Sequence, residues 1–180
     1  MKEISLHILD IMQNSVTAEA SLIELTVIED KDADILSVEI KDNGRGMSEE
    51  FLKVVEDPFT TARTTRKVGL GIPLIKQAAI STKGTFKIES ELGTGTTVFA
   101  TFGYSHIDRQ PLGNMADTMH QLITSFEDVD FIYRHIIGEK EFLMDTREIK
   151  QILGGVSLKE NAVSLWIMEY LKENEDLISC

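Results

Sequence analysis

Two hydrophobic periods alternate along the first hundred residues of the chain. From Ile4 to Ala18, Ile8, Leu9, Met12 and Val16 recur at helical spacing, with His7, Asp10 and Asn14 on another face, which predicts an amphipathic helix. Leu22 to Ile28 and Ile35 to Ile40 alternate apolar and polar residues around Asp30-Lys31-Asp32-Ala33-Asp34, the pattern of two half-buried strands joined by a polar turn. Asp42-Asn43-Gly44-Arg45-Gly46-Met47 breaks the second strand, and Ser48-Glu49-Glu50 opens a short helix with Ser48 as its N-cap. Asp57 to Val68, rich in Thr and Arg, reads as a loop. A helix follows from Gly69-Leu70-Gly71 to about Ile80, with Pro73 in its first turn, where the missing N–H costs nothing. Thr85 to Glu89 and Thr97 to Phe102 read as strands around Gly93-Thr94-Gly95.

The remaining pattern divides the chain into a unit over 1–103 and a C-terminal α/β extension over 104–180. In the extension, Ser105 to Gly113 is a connector. It precedes a helix (Met115 to Phe126), strands (Phe131 to Ile136, Phe142 to Met144) and helices at Thr146 to Leu153 and Leu158 to Glu173. The stripe Leu158, Val163, Leu165, Trp166, Met168, Leu171 fits either a core-packed helix or a partner surface.

Charge narrows the classes of function. Eighteen Lys and Arg against thirty Asp and Glu give a net charge of −12, so the mean field repels nucleic acid and anionic lipid. The imbalance is steepest in residues 105–180, with 7 basic and 14 acidic side chains. Any anionic ligand needs a local device. The lone Cys180 excludes an intrachain disulfide and a four-cysteine zinc site. No apolar run reaches membrane-spanning length and Asp10 interrupts the only signal-like core, so the expectation is a cytoplasmic protein without membrane attachment.

Four local patterns carry candidate chemistry. Asp42 at a strand end can accept a hydrogen bond from a purine amine, while Gly44 and Gly46 let a flat base lie on the backbone; a simple Asx turn explains the same residues. Gly69 and Gly71 at a helix start offer unpaired amides to an anion, with Arg63, Arg66 and Lys67 directly upstream; a flexible, solvated loop is the plainer account. No Gly-x-x-x-x-Gly-Lys-Ser/Thr occurs, and no strand precedes Gly69, so neither a P-loop nor a dinucleotide fingerprint is present. Gly93-Thr94-Gly95-Thr96-Thr97 is a hairpin turn running into a strand. On the first helix, Asn14 is an oxygen ligand suited to Mg2+ beside phosphates. Asp10 lies one turn away and can deprotonate a water or hydroxyl, although a solvated polar face has the same look.

The order of these patterns over residues 3–103 resembles the GHKL ATP-binding superfamily. That superfamily contains DNA gyrase, the heat-shock chaperones of the ninety class, sensor histidine kinases and MutL mismatch-repair proteins. The resemblance implies an α+β Bergerat fold, a two-layer sandwich of a mixed sheet with helices on one face and ATP beneath a lid over Asp57 to Val68. It makes Asn14 the Mg2+ ligand, Asp42 the reader of adenine, Gly44, Gly46 and Met47 the border of the base, and Phe59 the lid phenylalanine. It sets Gly69, Leu70 and Gly71, with Arg63, Arg66 and Lys67, around the phosphates, and Thr97 near the adenine pocket. Asp10 stands where ATP-hydrolysing members and the anti-sigma serine kinases carry a Glu general base, one methylene longer. No His-Glu-x-x-x-x-Pro segment occurs in the sequence, and His106, His120 and His135 lack an acceptor context. The resemblance therefore implies ATP and Mg2+ as cofactors and a regulatory kinase, of histidine or serine type, acting on a partner protein in trans. The alternatives are an ATPase or a nucleotide-gated interaction module. A homodimer is possible, and neither nucleic acid nor membrane is expected as a partner.

Overall fold

The computed structural model describes residues 3–56 and 71–180. Its first helix, α1 (Ile4–Thr17), buries Ile4, Ile8, Ile11 and Met12, and also Ser5, His7 and Ser15. Leu9 and Val16, expected at the centre of the apolar face, are only half-buried, while His7, expected in the polar stripe, is 2% exposed. A second cover over the N-terminal part of the helix accounts for the burial of His7. The connector after residue 104 binds its N-terminus, where Ile4 N donates to Pro111 O and Ser5 N to Leu112 O.

Strands β1 (Leu22–Asp30) and β2 (Ile35–Asp42) form the expected hairpin, in register from Ile23↔Asp42 to Asp30↔Ile35. Helix α2 (Glu49–Val54) starts as the sequence predicts, the Ser48 hydroxyl accepting from Phe51 N. After α3 (Gly71–Ser81), β3 (Phe86–Glu91) and β4 (Gly95–Gly103) make a second hairpin, which joins the first through antiparallel β2–β4 pairing. The expected lid over 57–68 lies outside the described residues.

Residues beyond 103 extend the same sheet. Helix α4 (Met115–Ser125), N-capped by Asn114, leads to β5 (Asp130–Ile137), which lies parallel to β1, and β6 (Lys140–Asp145) returns antiparallel along it. The order is β3-β4-β2-β1-β5-β6, a mixed six-stranded sheet that is not closed. Helix α5 (Thr146–Leu153) is capped by Asp145 and closed by Gly154 at φ 60°. Helix α6 (Asn161–Ser179) begins three residues after the expected Leu158, because Glu127 holds Ser157 Oγ and Leu158 N in a turn. Period-2 burial puts Ile23, Leu25, Val27, Leu36, Val38, Ile40, Phe131 and Tyr133 on one face, and α1, α3, α4 and α6 pack against it.

A buried ionic cluster ties α6 to the sheet. The imidazole of His135 on β5 lies 2.8 Å from Glu29 on β1 and 2.8 Å from Glu175 on α6, and Tyr133 Oη donates to Glu175 at 2.5 Å. Burial alone would lower the His135 pKa, but hydrogen bonds and charge from the two carboxylates override it and raise the value to about 9. A raised histidine contributes its full stability below the unfolded value near 6.5 and loses it as pH rises through about 9. The expected result is a fall in unfolding free energy, on the order of 3 kcal/mol, between pH 6.5 and 9.5, and its disappearance in His135→Gln. Urea denaturation at stepped pH measures both slopes.

Candidate functional site

The strand-end carboxylate is fixed from both sides. Asp42 closes β2, where its Oδ2 accepts from Ser15 Oγ at 2.6 Å and its Oδ1 from Gly44 N at 2.8 Å. Asn43 locks the same corner, its Oδ1 taking the Ser21 and Leu22 amides at 2.8 and 3.0 Å. The chain then passes between α1 and the β3–β4 turn with almost no clearance. Arg45 N donates to Ala18 O, and Gly93 N donates to Arg45 O at 2.7 Å. Gly46 sits at φ 73°, where a Cβ would lie 2.0 Å from the Glu91 carbonyl oxygen. Gly95, at φ 136°, likewise leaves only 2.0 Å between a Cβ and Asp42 O. Both positions require glycine.

Beneath this crossing is a cavity of about 370 Å3. Ile11, Ile40, Phe51, Ile72, Leu92 and Val98 form its apolar walls, and Asn14, Asp42, Met47 and Thr96 present polar or soft atoms. Arg45 is the cation lining it among the described residues. An apolar slot with a few convergent polar groups is the usual form of a small-molecule site.

Asn14 lines the cavity, and Asp10, one helical turn before it on α1, lies against the start of α3. Among the described residues, Asp10 Oδ2 and Asn14 Nδ2 are buried without a hydrogen-bond partner. The first residue of α3, Gly71, packs onto this carboxylate, where a Cβ would meet Asp10 Oδ2 at 2.4 Å. One turn before Asp10, His7 Nε2 lies 2.8 Å from Gln110 Oε1. Burial pushes the His7 pKa below the usual value, against the opposing pull of Gln110 and Asp10.

Asn14, Asp42, Gly46 and Met47 thus converge on one cavity, with Asp10 and Gly71 adjoining it; Gly44 does not line it and meets the site only through its amide bond to Asp42. Thr97 does not join them. It pairs with Lys41 and Glu89 on the opposite face of the sheet, because side chains alternate along a strand. Thr96, opposite Asp42, faces the cavity instead. Phe59, Arg63, Arg66, Lys67, Gly69 and Leu70 lie outside the described residues. Sequence reasoning also missed Ser15 and Ser90. The Ser90 hydroxyl accepts from Met47 N at 2.8 Å and lies 2.7 Å from Thr96 Oγ1, joining the base of the crossing to the β3–β4 hairpin. Counting the strand register outward from Gly93 would have paired Ser90 with Thr96; nothing local marks Ser15. No group of three potential metal-binding His, Cys, Asp or Glu side chains occurs among the described residues, and no described helix is long and apolar enough to cross a membrane.

Comparison with known proteins bears on the family and the fold. Residues 2–105 match the family described as histidine kinase-, DNA gyrase B-, and HSP90-like ATPase. A putative sensor protein of Shewanella frigidimarina is 31% identical over 103 residues, 56% of this chain and 16% of its own length. Sporulation kinase C of Bacillus subtilis is 32% identical over 88 residues, 49% of this chain and 20% of its own length. The chain therefore spans a fifth or less of these two relatives. Among solved structures, the N-terminal domain of a DNA repair protein superposes with a TM-score of 0.51 at 16% identity, covering 81% of this chain and 53% of its own. The Aquifex aeolicus MutL ATPase domain complexed with ADP gives 0.50 at 14%, covering 86% and 70%. These two superpositions bear on the fold alone. With more than half of its length matched by the family, this chain belongs to the histidine kinase-, DNA gyrase B- and HSP90-like ATPases.

Proposed function

We propose that the chain binds Mg–ATP in the cavity below Asp42 and acts as a regulatory kinase on a partner protein in trans, in the cytoplasm where ATP is available. The observation that carries the reading is the Asp42 carboxylate, an acceptor-only group held by Ser15 and Gly44 at the end of an apolar slot. Such a group accepts from the exocyclic amine of adenine and opposes the 6-oxo group of guanine. Asn14 fits the metal role: its amide lines the cavity and makes no side-chain hydrogen bond among the described residues, so its oxygen is available to a hard cation. When bound, Mg2+ would neutralise phosphate charge. Arg45 offers a second positive group at the rim. The expected Arg63, Arg66, Lys67, Gly69 and Leu70 would complete the phosphate end.

The unpartnered Asp10 oxygen favours a second reading, hydrolysis by a general-base carboxylate without a protein acceptor. Calorimetry with Mg–ATP tests the shared part: micromolar binding is expected, weakened at least about tenfold by Asn14→Ala in the presence of Mg2+ only. Unchanged Mg-dependence in Asn14→Ala would remove it from the metal site. Incubation with γ-labelled ATP and candidate partners then separates the two readings. Label on a second chain supports the kinase. Phosphate release without a phosphoprotein, abolished by Asp10→Asn with binding retained, supports the ATPase.

A further inference from the structure

The apolar stripe at the end of the chain divides in two. Leu158 and Leu171 are buried, as a core-packed helix requires, but Trp166 keeps 46% of its surface exposed. Between α5 and α6 runs a cavity of about 420 Å3 lined by Ile149, Ile152, Leu153, Ala162, Val163 and Trp166, none of which touches the cavity below Asp42. The gap exists because the two helices pack on different partners, α5 on β5 and α6 on α4, β5 and β6. The chain turns between them through Gly154 and Gly155, at φ 60° and 98°, and buried Leu158 anchors its return. Ile152 is 83% exposed, and Val156 in the turn and Leu165 beside Trp166 are exposed as well.

One wall of this groove is set in advance. The Trp166 indole stacks on Tyr170, with ring centroids 5.3 Å apart and planes 14° from parallel. Tyr170 meets Phe142 edge-on at 5.7 Å, and Phe142 meets Tyr133 in the same way at 5.7 Å. Phe142 and Tyr133 are buried on the sheet, so a ladder of rings ties the indole to the core. An aromatic group held in this way loses little freedom on contact, which is what makes Trp and Tyr the usual anchors of interfaces.

The chemistry of the groove and its rim selects the occupant. Small-molecule sites carry a few convergent polar groups that fix orientation, whereas the lining side chains here offer only the Trp166 N–H. A helix laying its apolar face into a groove needs no more. Beside the groove, Glu148 precedes Ile152 by one turn of α5, and Glu169 and Glu173 follow Trp166 at i+3 and i+7 on α6. All three are exposed and form no ion pair among the described residues. Arg147 and Lys150, the cations of α5, are held by Asp145 and Asp130, and Lys159 is the remaining one between Thr146 and Trp166. A second copy of the chain would bring the same carboxylates and the same net charge of −12, and anionic lipid would be repelled likewise. A cationic partner is not.

We propose that the α5–α6 groove docks a basic amphipathic helix of a partner protein. Its large apolar side chains enter beside Trp166, and its Lys or Arg residues meet Glu148, Glu169 and Glu173. The surface needs no nucleotide, so the proposal stands apart from the reading of the ATP cavity.

Trp166 is the only tryptophan in the chain, so its fluorescence reports on the groove. The probe is a synthetic end-capped peptide of about 18 residues, long enough to hold a helix on a surface, with Leu on one helical face and Lys on the other. Titrated into the full chain without nucleotide, it is expected to shift Trp166 emission to the blue with a micromolar Kd, weakened severalfold between about 0.05 and 0.3 M NaCl. Ile152→Ser, at a position too exposed to matter for folding, is expected to weaken binding at least about fivefold. Glu169→Gln combined with Glu173→Gln should cost about threefold, and the peptide remade with Glu for Lys should bind at least about tenfold more weakly. An unshifted Trp166 overturns the proposal, because the groove is then empty. Equal affinity of Ile152→Ser, read by anisotropy of the labelled peptide, overturns it too, because the attraction is then to net charge alone. A blue shift that grows with protein concentration, together with a dimer in sedimentation equilibrium, assigns the groove to a second copy instead. A shift with phosphatidylcholine vesicles but not with the peptide assigns it to lipid, and either result sinks the partner helix.

Discussion

Gly46→Ala is expected to cost about 2–4 kcal/mol of folding stability and to weaken Mg–ATP binding by more than tenfold. The first part of the cost is the backbone, since φ is 73° and an L side chain resists the left-handed region. The second is space. A methyl group there would sit 2.0 Å from the Glu91 carbonyl oxygen, a backbone atom that moves only if the β3–β4 turn moves with it. Displacing that turn breaks the Gly93 N to Arg45 O bond and pulls Met47 N from Ser90 Oγ, so the roof of the cavity lifts away from its walls. Gly93→Ala is the matched control. It shares a positive φ of 82°, but a Cβ there meets nothing within 4 Å, so only the backbone cost of about 1 kcal/mol is expected, with binding preserved. Denaturant melts paired with calorimetry compare the two. Equal losses would mean that the crossing yields easily and does not shape the site.

Asp42→Asn is expected to lower ATP affinity about 100-fold, close to 2.7 kcal/mol, with little loss of stability. The Gly44 amide cannot turn, so the asparagine oxygen stays on it and its NH2 faces Ser15 and the cavity. The Ser15 hydroxyl rotates to accept, which keeps the corner intact. The cavity, however, now presents a donor where a carboxylate oxygen had accepted. An adenine amine meets another donor there, whereas the 6-oxo group of guanine finds a partner, so the preference for ATP over GTP should collapse with the affinity. Calorimetric titration with both nucleotides reads it directly. Retention of ATP affinity within about threefold would assign base reading to another group.

Much of this site was legible because its residues are neighbours in sequence. Asp42, Gly44 and Gly46 announce a strand end and a close backbone approach, and Asn14 follows Asp10 by one helical turn. Other features depend on distances that periodicity does not encode. Alternation along β1 and β5 marks each as a strand, but nothing in it says that Leu22 pairs with Asp130. The position of Thr97 was off by one residue, and on a strand one residue reverses the face. His7 sits in a polar stripe by helical arithmetic, and only the connector carrying Gln110 turns that stripe into an interior. The clamp on His135 joins residues 106 and 40 positions apart, with no local signal at any member.

The parallel pairing of β1 with β5 also sets a schedule. On one side β1 is completed by β2 almost as soon as the turn at Asp34 has formed, but its other edge waits for a strand about a hundred residues later. At ordinary translation rates that edge stays open for roughly 5–20 s while the ribosome makes the hundred or so residues from β2 to α4. Throughout this interval Ile23, Leu25 and Val27 lie beside unpaired backbone amides, the condition under which strands recruit wrong neighbours. A nascent chain of this protein is thus most vulnerable between the synthesis of β1 and that of β5, and slowing translation within 105–129 should lower the soluble yield without altering the finished molecule.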